Sequence, residues 1–223
     1  MVTTTTLPHV VRRREPVQQF PSGPLIVVGS LLLLGVALVG ARLQSVVGPV
    51  HLDAVAASKI AQHRSTSGRL AVLGSRTAVD LGSEISVFLA VSLLASWAAV
   101  RRDWRGVVLA VLGPVLAITL TEYVLKPIVD RESTKGSWSY PSGHVTAVVA
   151  VGTVALLLVY RYVGLRVALA WSPVAVGVAG AVAFGVVLLR WHYVTDSIAG
   201  IGVGVGVSVL VAGLISRERA PSQ

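Results

Sequence analysis

Six long apolar segments constrain this 223-residue chain more than any other feature of its sequence. Each is close to the length of about 20 mainly apolar residues that a helix needs to cross a membrane. Only 13% of all residues are charged, whereas a soluble domain carries about 25%. The sequence therefore predicts an all-α, integral membrane six-helix bundle over residues 23–216, with segments at about 24–42, 79–100, 106–125, 144–161, 166–189 and 195–215.

Polar stretches lie at the two ends of the chain and between the first two apolar segments. Residues 1–22 contain a threonine run, three consecutive arginines and three prolines, a composition that predicts a disordered cytoplasmic tail. Residues 217–223 predict a second cytoplasmic tail. The stretch HLDAVAASKIAQHR, residues 51–64, is amphipathic and predicts a helix along the membrane surface in the first outer loop. We interpret its polar side chains, including Asp53, as a solvated face; contact with a lipid headgroup is the alternative.

The distribution of basic residues along the chain indicates which kind of partner it binds. The net charge is +9, but the basic residues are scattered between apolar segments, which argues against nucleic acid and for anionic membrane lipids. Basic residues in the short loops predict both termini in the cytoplasm, and the loops around 126–144 and 190–196 at the extracytoplasmic face of the cell membrane. The chain has no Cys, which excludes disulfides and Cys-ligated metals.

The sequence PSGH, residues 141–144, directly precedes the fourth apolar segment. Ser142 suits the N-cap of a helix, and Gly143 lets the backbone approach a ligand closely. The first N–H groups of a helix favour a phosphate, and His144 beside them could give a proton to a leaving oxygen. The alternative is a capped turn with an interfacial histidine.

Two further groups of residues are expected on the same outer face. His192 and Asp196 are four residues apart, so both lie on one helical face, and the carboxylate can hold one imidazole nitrogen protonated. Lys126 and Arg131 can converge on one anion once the chain turns, although Lys126 also pairs by default with Glu122, four residues before it. Each group alone has an ordinary structural interpretation. Their joint placement on one face predicts an anion-binding reaction site.

These motifs resemble those of the type 2 phosphatidic acid phosphatases, relatives of the vanadium haloperoxidases, whose order is K-x6-R-P, PSGH and S-R-x5-H-x3-D. PSGH and H-x3-D are intact, at 141–144 and 192–196. The first motif has Ser133 in place of its arginine, and Arg131 is the expected substitute. The third motif has Val186 in place of its arginine, and Arg190 is the nearest cation.

The resemblance implies a lipid phosphatase that removes a terminal phosphate from a lipid phosphate or polyprenyl (di)phosphate, without metal or cofactor. His192 would be the nucleophile that forms a phosphohistidine, Asp196 would orient it, and His144 would be the general acid. The implied phosphate-binding residues are Lys126, Arg131, Ser142, Gly143 and Arg190. Two alternatives are a lipid phosphotransferase, in which a hydroxyl replaces water, and a non-catalytic lipid-binding membrane protein of the same fold.

Overall fold

The computed structural model describes residues 18–44, 46, 48–133 and 136–217. In this part of the chain an isolated antiparallel bridge between Glu132 and Trp138 is the only β pairing, so the predicted all-α class is confirmed. A π-helical segment, Leu120–Leu125, joins α4 to α5. The α-helices are α1 (Ser22–Leu43), α2 (His51–Asp80), α3 (Glu84–Val100), α4 (Trp104–Thr119), α5 (Lys126–Val129), α6 (Gly143–Tyr162), α7 (Leu165–Leu188) and α8 (Val194–Arg217).

Five helical stretches of the described chain are long and apolar enough to cross a membrane: α1, the continuous Trp104–Val129, α6, α7 and Val194–Ser216. The predicted second span, 79–100, is a bent pair instead. The last part of α2, Ala71–Asp80, meets α3 at 48°. The bend lies where Ser83 caps α3 by accepting a hydrogen bond from the Ser86 amide. The count is therefore six only if this pair forms one span.

Helix α2 differs from the predicted surface helix. Residues 51–64 are helical, but the helix continues to Asp80 across a break at Gly68, whose φ of 62° and ψ of −151° are not helical. Its later part packs on α7, where a Cβ at Gly185 would lie 2.8 Å from Val79 Cγ2. The interpretation of Asp53 as part of a solvated face is wrong, because Asp53 is only 2% exposed.

Helix α8 is the most deeply buried of the membrane-spanning stretches. Its glycines allow close approach on two sides, as small residues four apart do in membrane helices. A Cβ at Gly204 would lie 2.8 Å from the Thr146 carbonyl of α6, and a Cβ at Gly202 would lie 2.6 Å from Val36 of α1. These two glycines therefore bring α8 close to α6 on one side and to α1 on the other. The two intact motifs occupy the N-terminal ends of α6 and α8.

The opposite end of the bundle is held by a second polar cluster. Asp103, just before α4, accepts hydrogen bonds from Arg161 Nε at 2.6 Å and Tyr162 Oη at 2.8 Å. Nearby, Phe20 is buried and stacks on Tyr160 with ring centroids 5.8 Å apart. The last residues of the predicted tail 1–22 are thus packed against α6. Residues 1–17 and 218–223 lie outside the described residues.

Candidate active site

The N-terminus of α6 is built by the PSGH sequence. Ser142 has extended backbone angles and precedes the first helical residue, Gly143. The Ser142 amide donates to the Asp196 carbonyl at 3.0 Å, so in this structure it is not open to a phosphate, contrary to the prediction. A Cβ at Gly143 would collide with Glu122 Oε1 and would lie 3.7 Å from Lys126 Nζ. The absence of a side chain at Gly143 therefore leaves room for the acid and the lysine beside this helix end.

Lys126 reaches the site from the end of the π-helical segment. Such segments are inserted turns that often occur at functional sites. The Lys126 ammonium donates to both oxygens of Glu122, at 2.7 and 2.6 Å, so the expected i,i+4 ion pair is confirmed. The lysine side chain is 14% exposed and that of Glu122 35%. The pair places one compensated cation directly beside Gly143.

His192 lies in the turn between α7 and α8. Its Nδ1 is 2.8 Å from the Ser139 carbonyl oxygen, whereas Asp196 Oδ2 is 3.8 Å away, too far for a hydrogen bond. The motif had suggested Asp196 as the direct partner of the imidazole. In the structure that partner is the Ser139 carbonyl. Because a carbonyl only accepts, this contact requires a proton on Nδ1, and in a neutral imidazole the lone pair is then on Nε2.

Asp196 belongs to a buried network beneath His192. Its Oδ2 accepts from the Tyr193 amide at 2.8 Å, which caps the first turn of α8 as an acid at this position does. Its Oδ1 accepts from Arg131 Nη1 at 2.7 Å. The same guanidinium donates through Nη2 to Asp53 Oδ2 at 2.7 Å, and all three charged side chains are fully buried. Arg131 thus holds two carboxylates, so its predicted contact with phosphate does not fit this geometry.

The remaining predicted residues converge above this network. His144 lies within electrostatic reach of His192, Lys126 and Glu122, and its ring is 5.6 Å from that of Trp191. The structure therefore brings together both imidazoles and the lysine. Arg190, which is exposed and has a φ of 60°, lines a small cavity beside His192.

That cavity, of about 100 Å³, is walled by the start of α2 on one side and by the turn before α8 on the other. Its polar lining residues are Asp53, Ser133, Arg190, His192 and Tyr193. Burial raises the pKa of the Tyr193 phenol, and the Arg131 guanidinium, 4.4 Å above its ring, only partly opposes this. Tyr193 is therefore neutral at physiological pH and offers a hydrogen bond, not a charge.

Sequence reasoning missed Ser139 and Thr195 and misinterpreted Asp53. Ser139 lies two residues before PSGH, but it contacts His192 through its backbone carbonyl. Every residue has such a carbonyl, so the residue type gives no signal for this contact. Thr195 and Asp53 form a hydrogen bond although they are 142 residues apart in sequence. The only sequence signal for this contact is that Asp53 is the single acidic residue in 51–64. Within the described residues, no group of three His, Asp or Glu side chains is suited to hold a metal ion.

Comparisons with known proteins identify the family and the fold. The family model of the PAP2 superfamily matches residues 108–220, about half of the chain, including the helix ends that form the site. The fold is similar to the crystal structure of the first transmembrane PAP2 type phosphatidylglycerolphosphate phosphatase from Bacillus subtilis, with a TM-score of 0.70 and 19% identity over 87% of this chain and 98% of that one. No curated protein sequence matches significantly.

Proposed function

Since this chain belongs to the PAP2 superfamily, we propose that it is a multi-pass membrane lipid phosphatase that works through a phosphohistidine on His192. The observation that carries the proposal is the contact of His192 Nδ1 with the Ser139 carbonyl at 2.8 Å, with His144 and Lys126 close by. This contact prepares Nε2 as a nucleophile of fixed tautomer. A histidine needed only for packing would not require a second histidine and a lysine beside it.

The first step forms a bond between Nε2 of His192 and phosphorus and breaks the bond between phosphorus and the lipid oxygen. His144 gives a proton to that departing oxygen. In the second step water attacks phosphorus, the nitrogen–phosphorus bond breaks, and the water proton returns to His144. Positioning and charge stabilisation are the main requirements of such transfers, and both histidines lie at helix ends that the Ser142–Asp196 backbone contact ties together.

Charge stabilisation would come from Lys126, Arg190 and the free N–H groups at the start of α6. Gly143 has no side chain between its backbone and Lys126, whose Nζ would lie 3.7 Å from a Cβ at this position, and the N-terminus of a helix favours phosphate oxygens. Arg190, in the wall of the cavity beside His192, replaces the family arginine. Arg131, whose side chain is fully buried against two carboxylates, supports the site from below.

An apolar groove favours a lipid substrate. It has a volume of about 420 Å³ and is lined by α3, α6 and α7, from Leu81 at one end to Val159 at the other. Along α6 its lining runs from Val148 to Val159, roughly 16 Å at 1.5 Å per residue. Leu81 adjoins Gly82, where a Cβ would lie 2.8 Å from the His144 carbonyl oxygen. A hydrocarbon chain in this groove would place its phosphate next to His144.

The proposed orientation puts this site at the extracytoplasmic face and both termini in the cytoplasm. The support is the charge of the opposite bundle end, where the α3–α4 and α6–α7 turns and the helix ends beside them carry Arg101, Arg102, Arg105, Arg161 and Arg166. Basic residues in short loops favour the cytoplasmic side.

The test is phosphate release by purified protein in lipid nanodiscs, offered phosphatidic acid, phosphatidylglycerophosphate and polyprenyl phosphates and diphosphates without any acceptor alcohol. We expect wild-type release from at least one lipid and loss of about 10⁴-fold or more in His192→Ala, since removing a nucleophile costs on this order. His51→Ala, an exposed histidine at the start of α2, is the matched control and should retain activity.

The same assay distinguishes the alternatives. Turnover that requires an added lipid alcohol would indicate a phosphotransferase. Equal phosphate release from wild type and His192→Ala would refute the nucleophile, and no turnover of any lipid, with or without an added lipid alcohol, would favour a binding protein without catalysis.

A further inference from the structure

We propose that Asp53, a residue of the first outer loop segment, is a positioning residue of this active site. It acts through Arg131 and Asp196 and sets the placement of His192 relative to His144. The inference depends on the proposed function, because positioning is measured here through the phosphatase reaction.

Asp53 has the contacts of a residue held in one defined place. Its side chain is fully buried, although it lies in a polar stretch of α2. Its Oδ1 accepts from the Thr195 amide at 2.9 Å, and its Oδ2 accepts from the Thr195 hydroxyl at 2.9 Å and from Arg131 Nη2 at 2.7 Å. A carboxylate with three donors is held in both position and rotation.

One of these bonds completes the start of α8. The residue before this helix is Tyr193, whose side chain has no acceptor suited to the first free amides of the helix. Asp196 accepts from the Tyr193 amide, and Asp53 supplies the acceptor for the Thr195 amide from a distant part of the chain. The turn that contains His192 is therefore fixed by a residue of α2.

The other bonds decide where Arg131 and Asp196 lie. Arg131 also donates from Nη1 to the Thr195 hydroxyl and to Asp196 Oδ1, both at 2.7 Å. Without the Asp53 carboxylate, Arg131 Nη2 would lose its 2.7 Å hydrogen bond and keep only the 3.3 Å contact with the Gly48 carbonyl, and a buried donor left poorly paired favours rearrangement. Movement of Asp196 would affect both histidines. Its Oδ2 accepts from the amide of Tyr193, the residue after His192, and its carbonyl accepts from the Ser142 amide, two residues before His144.

The experiment compares Asp53→Asn with Asp103→Asn. Asparagine keeps the size of the side chain but removes its charge. Asp103 is the matched control, a carboxylate that is 9% exposed and bonded to Arg161 at the far end of the bundle. Both variants should lower the thermal unfolding midpoint in detergent.

Only Asp53→Asn should change the chemistry. We expect kcat for the best lipid phosphate to fall by about 10²-fold with little change in KM, because a misplacement near 1 Å has an effect of this size. Asp103→Asn should keep the wild-type kcat. If Asp53→Asn cannot be purified folded, Thr195→Val, which removes the hydroxyl shared by Arg131 and Asp53, should reduce kcat by about tenfold.

Three results would overturn the inference. The first is a wild-type kcat in folded Asp53→Asn. The second, where Asp53→Asn does not fold, is a wild-type kcat in folded Thr195→Val. The third is a loss of kcat in Asp103→Asn as large as that in Asp53→Asn. An inactive wild type would refute the proposed function, and this inference with it.

Discussion

Replacing Gly200 by alanine should separate the two histidines of the site. A Cβ at this position would lie 2.8 Å from the Ser142 carbonyl oxygen, 3.2 Å from Val145 Cβ and 3.3 Å from the Thr146 amide nitrogen. These atoms belong to the first turn of α6, which carries His144. Because two of them are backbone atoms, no side-chain rotation can relieve the contact.

The size of the effect follows from these distances. An ordinary contact needs about 3.5 Å, so the 2.8 Å approach requires α6 and α8 to move apart by roughly 0.7 Å. Overpacking of this kind costs about 1–3 kcal/mol. A displacement of similar size at reacting groups reduces turnover by up to about 10²-fold. Gly200→Ala should therefore lose both stability and kcat.

The measurement is the thermal unfolding midpoint and kcat of purified Gly200→Ala beside Gly177→Ala. Gly177 lies within α7, and nothing lies within 4 Å of the position that a methyl group would occupy there. Alanine at this position should be neutral or stabilising by up to about 1 kcal/mol. A Gly200→Ala protein with wild-type stability and kcat would refute the claim that this glycine sets the distance between α6 and α8.

Two further predictions concern pH and the lipid chain. Burial opposes the charge of Asp103, but hydrogen bonds from Arg161 and Tyr162 hold its pKa below the ordinary value, so its stabilisation is present above the unfolded pKa of about 3.9 and is lost as pH falls through the lower folded pKa. The difference in unfolding midpoint between wild type and Asp103→Asn should therefore shrink as pH falls below about 4; an unchanged difference would contradict this. Gly152→Leu, in the apolar groove, should raise KM for long-chain lipids about tenfold, because each displaced methylene contributes about 0.8 kcal/mol. Short-chain phosphates and the control Gly177→Leu should be unaffected, and equal effects on long and short chains would argue against the groove.

The helical architecture was predictable because it depends on local properties. Apolar length predicted the helices. The bend between α2 and α3 was missed, because residues 79–100 were predicted as one span although the sequence at its start, VDLGSE, contains two acids and a serine. Ser83 caps α3 and so fixes its first residue at Glu84.

The candidate site was predictable in part. The intact motifs located His144 and His192, and i,i+4 spacing located the Glu122–Lys126 pair. The roles of Arg131 and Ser142 were not predictable, because both have partners in other helices. The guanidinium of Arg131 is neutralised by carboxylates 65 and 78 residues away in sequence.

By itself, the sequence determined a helical membrane chain with two histidines beside helix ends, because hydropathy and helix start signals act over short distances along the chain. Only the tertiary structure decided which groups those histidines meet. The Ser139 carbonyl holds His192, and Asp53, an acid in the first turn of α2, is buried beside the same site. Such contacts depend on how the helices pack, and a buried charge keeps its place only where the fold supplies its partners.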